Sequence, residues 1–215
     1  MGTIDWKGFL GSLNFADCME DVRKMEDEYH ESLKKGRADD FIEMYGTRDI
    51  NETIEGYEGP NAPFISEIVN SLPEFLKSGK SLFLVGSKGT GKTLATWHIG
   101  KRAAELGRSV IFTTMQELLL KIFDNNEFGE KCKRVSLLII DEVGKTTGNE
   151  KSGWELSRVL NILTKRHAFQ KSTIMTSNIP ETELTRFIGA DMLDRMKEDE
   201  WRRVVYSGQS FRGAK

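Results

Sequence analysis

SLFLVGSKGTGKTLATWHIG, residues 81–100, combines three patterns in a row: a strand, a glycine loop and a helix. Its first part is apolar, as in a strand buried inside a sheet, and the residues after Lys92 have the spacing of a helix. Gly89 and Gly91 lie between the two and allow loop conformations that are closed to other residues. The order strand, glycine loop, helix predicts one unit of a parallel α/β sheet.

The glycine loop matches the pattern G-x-x-x-x-G-K-[ST] at every position from Gly86 to Thr93. In such a loop, backbone N–H groups and the N-terminus of the next helix surround an anion. Lys92 is then expected to reach the β- and γ-phosphates of ATP, and the Thr93 hydroxyl to bind Mg²⁺. The alternative is a glycine turn followed by a chance Lys-Thr pair. The predicted nucleotide-binding residues are Gly86, Ser87, Lys88, Gly89, Thr90, Gly91, Lys92, Thr93 and Leu94.

The segment VSLLIIDEVG, residues 135–144, supplies the second part of the predicted site. It is apolar until Asp141 and Glu142, which follow at the carboxyl end of the strand, where ligands bind in open α/β sheets. Asp141 is expected to hold Mg²⁺ through water, and Glu142 to orient or deprotonate the water that attacks ATP. The pair favours hydrolysis over a phosphate-transferring small-molecule kinase. The alternative is an ordinary polar strand end.

From residue 81 onward, short apolar runs alternate with longer helical patterns, which is typical of a parallel sheet with right-handed crossovers. The predicted fold class is therefore α/β, a five-stranded parallel sheet flanked by helices. A short helix is predicted before it in PFISEIVNSLPEFLKSG, residues 63–79. The strands are predicted at 81–85, 109–113, 135–140, 172–177 and 203–206, and the helices at 91–106, 115–124, 152–168 and 188–197.

The N-terminal region carries an amphipathic helix, predicted at residues 16–35. Gly36 is expected to end it, and the following mixture of Gly, Asn and Pro is typical of a linker. A domain boundary near residues 45–62 divides the chain into an extension, 1–60, and an ATPase domain, 61–215. A short amphipathic helix of this kind is suited to docking on a partner protein. The alternative is that it packs on its own ATPase domain.

The composition suits one globular domain with an extension: 215 residues, a formal net charge of -2 and 38% hydrophobic residues. No apolar run approaches the roughly 20 residues of a membrane span, and the start of the chain lacks a signal-peptide pattern, so a cytoplasmic location is predicted. Cys18 and Cys132 are isolated and no histidine has metal-ligand spacing, so neither a disulfide framework nor a zinc site is expected.

Six segments in order carry a family resemblance: LFLVGSKGTGKT, LLIIDEVG, GWELSRVLNILTKRH, STIMTSNIP, MLDRM and SFR. Over roughly residues 62–212 the chain resembles the AAA+ ATPases, and among them the bacterial helicase loaders of the DnaC type and the IstB-type transposition helpers. The phosphate loop alone indicates only the P-loop NTPase superfamily, whereas the ordered set is specific. The resemblance implies a Mg²⁺-dependent ATPase without a C-terminal helical lid domain.

The resemblance also assigns roles to two further polar residues. Asn178, in STIMTSNIP, is similar to the polar sensor beside the γ-phosphate; the alternative is an asparagine that caps a turn before Pro180. Arg212, in SFR, matches the second-sensor arginine of DnaC-like loaders; the alternative is a frayed cationic tail.

Arg195, in MLDRM, matches the arginine finger that such proteins insert into a neighbouring subunit's site. The alternative is a surface charge cluster with Asp194 and Glu198. Because a finger acts on the neighbouring chain, the resemblance implies self-association into an oligomer with ATP between protomers. It further implies slow turnover, as expected of a switch rather than a motor.

The segment after the second strand, residues 113–135, occupies the place where initiator-type AAA+ proteins carry an extra helix for single-stranded DNA. The alternative is the solvated basic edge of an ordinary crossover. Candidate contacts to DNA phosphates are Lys121, Lys131, Lys133, Arg134, Thr113 and Thr114.

The favoured function is an ATP-dependent loader that binds a replicative helicase of the DnaB type through the N-terminal helix and delivers it to single-stranded DNA. The first alternative is an IstB-like ATPase that helps a transposase. Those proteins usually carry a basic N-terminal DNA-binding region, whereas EDVRKMEDEYHE, residues 20–31, is acidic. The second alternative is a nucleotide-gated adaptor that hydrolyses little ATP, against which Glu142 and Arg195 weigh.

Overall fold

Strands alternate with helices along most of the chain, for which a computed structural model describes residues 15–45, 61–144 and 153–207. The strands are β1 (Ser81–Gly86), β2 (Val110–Thr114), β3 (Leu137–Val143), β4 (Ser172–Ser177) and β5 (Trp201–Tyr206). The helices are α1 (Phe15–Tyr45), α2 (Ala62–Asn70), α3 (Leu72–Lys77), α4 (Lys92–Glu105), α5 (Met115–Asp124), α6 (Asn126–Arg134), α7 (Gly153–Ala168), α8 (Glu181–Ile188) and α9 (Ala190–Arg195). None of the helices in these ranges is long and apolar enough to cross a membrane.

The sheet is parallel throughout, in the order β2-β3-β4-β1-β5. β1 lies between β4 and β5, with Val85 opposite Ser177 and Gly86 opposite Tyr206. Parallel strands end at the same edge, so the segments that follow β1, β3 and β4 are neighbours there. The predicted five-stranded parallel sheet is confirmed, and its carboxyl edge carries the candidate site.

The central strands send alternate side chains into two separate cores. In β3, Leu138 and Ile140 join the core formed with α5 to α9, whereas Leu137 and Ile139 join the core formed with α2, α3 and α4. Because helices cover both faces of the sheet, this strand has to be apolar throughout, which is the pattern its sequence has.

A buried arginine fastens α7 to β4 and to the end of α6. Arg166 is fully buried, and its Nη1 donates to the carbonyls of Cys132 at 2.7 Å and Val135 at 2.9 Å. Its Nε donates to the Thr173 hydroxyl at 2.9 Å, and its Nη2 donates to the Ser172 carbonyl. Burial lowers the pKa of the guanidinium to about 10, so the group stays charged at neutral pH. The terminal carbonyls of α6 thereby gain hydrogen-bond partners that helix geometry alone does not supply.

Helix α1 is longer than predicted, because Gly36 does not end it and the helix continues to Tyr45. A glycine within a helix costs roughly 1 kcal/mol relative to alanine, and tertiary contacts offset that cost here. α1 packs against α4, and Arg37 donates a hydrogen bond to the Gly107 carbonyl. The described part of the extension, α1, therefore packs on the domain that contains the sheet. The domain boundary stays a prediction, since residues 46–60 lie outside the described ranges.

The single helix predicted at 188–197 is wrong, because α8 and α9 take its place. Gly189 separates them with a φ of +76°, and a Cβ at this position would lie 3.1 Å from the side chain of Leu160. Only a glycine fits both the left-handed backbone and the close approach of α7. Pro180 precedes α8 as its N-cap residue.

Helix α6 is absent from the prediction. Its N-cap is Asn125, whose side chain accepts a hydrogen bond from the Glu127 N–H at 2.8 Å. Asparagines favour both loops and helix caps, so the pattern after residue 124 did not by itself indicate that a second helix begins there. The helix predicted before β1 is two helices, α2 and α3, and β3 runs three residues past its predicted end to Val143.

Candidate active site

The phosphate loop connects β1 directly to α4, as predicted. Gly89 and Gly91 have φ values of +78° and +90°, in the left-handed region that glycine adopts without steric cost. The Thr90 hydroxyl is buried and donates to the Ser87 carbonyl at 2.9 Å, which closes the loop on itself. Gly91 is the N-cap of α4, so the N-terminal end of this helix faces the loop. Such a loop and helix end form an anion-binding site.

Lys92, the first residue of α4, folds back over the phosphate loop. Its Nζ donates to the carbonyls of Gly86 at 2.8 Å and Ser87 at 2.6 Å, and only 5% of the residue is exposed. A buried ammonium group needs such partners to offset its lost hydration. Phosphate oxygens carry charge that these carbonyls lack, so they would compete well for the same ammonium group.

The Thr93 hydroxyl and the Asp141 carboxylate meet at 2.8 Å, with Thr93 Oγ1 as donor and Asp141 Oδ2 as acceptor. Both supply hard oxygen ligands, which Mg²⁺ prefers. No cluster of three or more His, Cys, Asp or Glu able to hold a metal occurs in the described part of the chain. A hydroxyl with one carboxylate fits Mg²⁺ that keeps its waters and binds a nucleotide's phosphates, and does not fit a metal cage made by protein alone.

Glu142 has an unusual backbone conformation. Its φ is +55°, and the pairing of β3 with β4 loses register between Ile140 and Val143. A non-glycine residue in the left-handed region costs roughly 1–2 kcal/mol, and such strain clusters at functional sites. The Glu142 N–H donates to the hydroxyl of Thr176 at 3.1 Å.

Thr176 is a site residue that the sequence prediction did not include. It is 2% exposed, and its hydroxyl donates to Asp141 Oδ1 while accepting from the Glu142 N–H. The available signal was a threonine near the carboxyl end of the predicted strand STIMTS, but its contact with the acidic pair depends on the pairing of β4 with β3.

Asn178 follows β4 directly, between the strand of the phosphate loop and the strand of Asp141. The preceding residue, Ser177, pairs with Val85 of β1 and with Val143 of β3. Ser177 Oγ also accepts from the Ile179 N–H at 3.2 Å, so the serine hydroxyl closes the turn that was the alternative role for Asn178. The placement agrees with the sensor hypothesis, whose chemistry stays a prediction.

Arg195 ends α9 and is half-buried. Asp194 pairs with Lys197 at 2.7 Å, and Glu198 lies 3.7 Å from His167. Among the described residues, the Arg195 side chain forms neither a hydrogen bond nor an ion pair, so the charge cluster offered as its alternative is absent from these ranges. Arg212, the predicted second sensor, lies outside the described residues.

The candidate DNA contacts are largely engaged within the protein. Thr113 is 1% exposed, and the Thr114 hydroxyl caps α5 by accepting from the Glu117 N–H at 3.1 Å. Lys131 and Lys133 pair with glutamates of α6 at 3.1 Å and 2.6 Å. The threonines are therefore poor phosphate ligands, and the lysines would have to exchange partners.

One histidine of the phosphate-loop helix titrates far from its ordinary range. Burial, reinforced by the nearby charge of Lys101, lowers the pKa of His98 to about 4. The imidazole of His98 is therefore neutral at physiological pH. Burial also raises the pKa of the Cys132 thiol to about 11, so this cysteine is a poor nucleophile.

Comparisons with known proteins agree with this geometry. The family model described as IstB-like ATP binding protein matches residues 51–213. The replicative helicase loader DnaC of Buchnera aphidicola is 29% identical over 197 residues, which cover 84% of this chain and 79% of that protein. Four other curated relatives are longer, and the chain spans 27–60% of their length.

Solved structures share the fold. A crystal structure of the DnaC helicase loader has a TM-score of 0.60 at 20% identity, over 73% of this chain and 97% of that one. A structure of the replication initiator DnaA bound to AMPPCP and single-stranded DNA has a TM-score of 0.60 at 21% identity, over 75% and 53%. The sheet and its loops thus form a P-loop fold of the AAA+ type.

Proposed function

The chain belongs to the family of IstB-like ATP-binding proteins, whose members are AAA+ ATPases, and from this premise we propose that it is an ATP-dependent helicase loader. In this role it binds a replicative helicase of the DnaB type and delivers it to single-stranded DNA when replication begins. The observation that carries the proposal is an apolar stripe on α1, a helix that is itself fastened to the ATPase domain.

The apolar stripe consists of Met25, Tyr29 and Leu33, which are 68%, 63% and 43% exposed. Their spacing of four residues places them on one side of α1. Farther along the same helix, Arg37 bonds the Gly107 carbonyl just beyond the end of α4. The helix can therefore pack on its own domain and still offer an apolar surface to a partner's groove. α4 begins at the phosphate loop and ends shortly before Gly107. It therefore connects the nucleotide site to the residue that Arg37 of α1 bonds.

ATP hydrolysis follows from the groups gathered at the carboxyl edge of the sheet. The phosphate loop and Lys92 bind the triphosphate, and Thr93 and Asp141 would hold Mg²⁺. When bound, Mg²⁺ neutralises charge that develops on the β- and γ-phosphate oxygens. Glu142 accepts a proton from the water that attacks the γ-phosphorus, and ADP departs. Asn178 senses the γ-phosphate in this scheme.

Arg195 is the group we assign to the neighbouring protomer's site. Arg195 is the last residue of α9 and is half-buried, and its guanidinium has no bound partner among the described residues. The guanidinium is therefore able to reach phosphate oxygens across a subunit boundary. In the proposed function the protein also self-associates into an oligomer with ATP between protomers, and it contacts single-stranded DNA. ATP turnover is slow and is stimulated by that DNA.

A transposase helper is the second candidate, favoured by the family description. The charge of α1 weighs against it, because the stretch from Glu20 to Glu31 is acidic and would repel DNA. A nucleotide-gated adaptor with little hydrolysis is the third candidate, and the pairing of Thr93 with Asp141 beside Glu142 weighs against it.

The test is capture of the purified DnaB-type helicase of the source organism by the full chain, with ATP and Mg²⁺ present. A variant with Met25→Asp, Tyr29→Asp and Leu33→Asp should lose the helicase and keep basal ATP turnover. Phe169→Asp, an equally exposed apolar site at the end of α7, is the matched control and should keep both. Normal helicase capture by the stripe variant would refute the docking role. Capture of the cognate transposase in place of the helicase would favour the second candidate.

A further inference from the structure

The acidic pair at the end of β3 is bridged by a single hydroxyl from the neighbouring strand. Thr176 Oγ1 donates to Asp141 Oδ1 and accepts from the Glu142 N–H at 3.1 Å. A hydroxyl has one donor and two acceptor lone pairs, so it can serve both groups at once. The hydrogen bonds run in one direction, from the Glu142 backbone through Thr176 to the Asp141 carboxylate.

The same carboxylate is held from its other side by the phosphate loop. Asp141 Oδ2 accepts from Thr93 Oγ1 at 2.8 Å, while Oδ1 faces Thr176. If the Thr93 hydroxyl turns to Mg²⁺, Thr176 still fixes the Asp141 carboxylate. The two threonines would therefore have different roles: Thr93 would be a ligand of Mg²⁺, and Thr176 holds the Asp141 carboxylate in place.

The second bond of Thr176 acts on the backbone of Glu142. This residue is in the left-handed region with φ of +55°, at the point where the register of β3 and β4 breaks. Its N–H has left the regular ladder and donates to the threonine hydroxyl. A buried N–H without a partner is costly, so this bond stabilises the conformation that sets the position of the Glu142 side chain.

We propose that Thr176 is a positioning residue that couples the metal-binding carboxylate of Asp141 to the base Glu142. The inference rests on the proposed roles of those two carboxylates in ATP hydrolysis. Thr176 contacts neither ATP nor the attacking water, and acts by holding the two carboxylate residues in one fixed relation.

The test compares Thr176→Val with Thr176→Ser in the full chain, by steady-state ATP hydrolysis at varied ATP and at varied MgCl₂. Valine keeps the shape and removes the hydroxyl that orients the carboxylate, so kcat should fall by about 10- to 100-fold, with KM for ATP changed less than about threefold. The Mg²⁺ concentration for half-maximal rate should rise severalfold. Serine keeps the hydroxyl and should restore kcat to within about threefold.

Thr173→Val is the matched control, because Thr173 is a buried threonine of the same strand whose hydroxyl bonds Arg166 and not the acidic pair. It should lower the melting temperature and leave kcat and the Mg²⁺ dependence near wild type. If Thr176→Val does not give folded protein, Thr176→Cys takes its place, since a thiol is a weak hydrogen-bonding group, and the same loss is expected.

Wild-type kcat in Thr176→Val, or an equal loss in the valine and serine variants, would overturn the inference. Glu142→Gln, measured in parallel, tests the assigned base separately from the coupling role of Thr176. If Glu142→Gln is inactive while Thr176→Val is normal, only the coupling role fails. If Glu142→Gln turns over ATP normally, the assigned base is wrong and the coupling role fails with it.

Discussion

The Thr93 hydroxyl donates a 2.8 Å hydrogen bond to Asp141, and so joins the first turn of α4 to the end of β3. The two residues come from separate motifs that lie 48 positions apart in the chain. Their contact brings the phosphate loop and the acidic strand end into one site. The contact lies at the site proposed here for Mg²⁺.

The first prediction concerns this contact. Thr93→Val should raise the Mg²⁺ concentration needed for half-maximal ATP hydrolysis by about tenfold or more, because a metal ligand is lost. Thr93→Ser keeps the hydroxyl and should stay near wild type. The measurement is ATP turnover against MgCl₂ concentration, and an unchanged Mg²⁺ dependence in the valine variant would remove Thr93 from the proposed metal site.

Lys92→Ala should weaken ATP binding by between about 10- and 100-fold, because it removes a charged hydrogen-bond donor from the β- and γ-phosphates. Lys80→Ala is the control, since Lys80 is an exposed lysine just before β1 and outside the phosphate loop. Binding of a fluorescent ATP analogue and circular dichroism would separate lost affinity from lost fold. Equal effects of the two substitutions would contradict the specific role of Lys92.

Arg195→Ala should lower ATP turnover, because an arginine finger stabilises charge on phosphoryl oxygens bound by the neighbouring chain. The factor reaches about 10³ or more in well-studied hydrolases and should be smaller in a slow switch. Mixing Arg195→Ala protomers with Lys92→Ala protomers should restore part of the activity, since some interfaces then pair an intact loop with an intact finger. No recovery in mixtures shown to co-assemble would exclude a role across the interface.

Arg166→Met should destabilise the fold by about 3 kcal/mol or more, because several buried carbonyls lose their donor at once. Lys165→Met, at the exposed neighbouring position of α7, should change stability by no more than about 0.5 kcal/mol. Urea unfolding of both variants measures the difference. A stability loss in Arg166→Met no larger than in the control would mean that the carbonyls of Cys132 and Val135 find other partners.

His98 should make the protein less stable in mild acid. Its pKa is lowered from 6.5 to about 4 in the fold. Between these two pH values the imidazole is protonated in the unfolded chain and neutral in the folded chain. Stability from this residue is therefore fully present above pH 6.5 and is lost as the pH falls toward about 4. His98→Gln should flatten the fall in the free energy of unfolding across this window. An unchanged pH profile would show that the pKa of His98 is the same in the folded and the unfolded chain.

The phosphate loop is the part of the structure that the sequence patterns predicted most completely. Its glycines, Lys92 and Thr93 are adjacent, so their spacing alone predicted the turn, the helix start and the anion-binding geometry that the structure has. The structure added a second constraint on Gly86. A Cβ at this position would lie 2.0 Å from the carbonyl oxygen of Tyr206, on the neighbouring strand β5.

The errors in the prediction come from residues whose local preference is overridden by distant contacts. Gly36 favours a helix end, yet α1 continues because it packs on α4. Asn125 suits a loop as well as a helix cap, and the prediction has no helix where Asn125 caps α6. The break at Gly189 depends on the approach of Leu160 from α7, and no pattern near residue 189 contains that information.

The parallel α/β sheet, the phosphate loop and the acidic pair could all be predicted from sequence patterns, because hydrophobic periodicity and motif spacing act over a few neighbouring residues. The bridge from Thr176 to Asp141 and Glu142, and the left-handed backbone of Glu142, became visible in the folded chain alone. The hydrogen bonds responsible join residues 34 and 35 positions apart. They exist only after strand pairing brings β3 beside β4, so a reading of either segment alone does not reveal them.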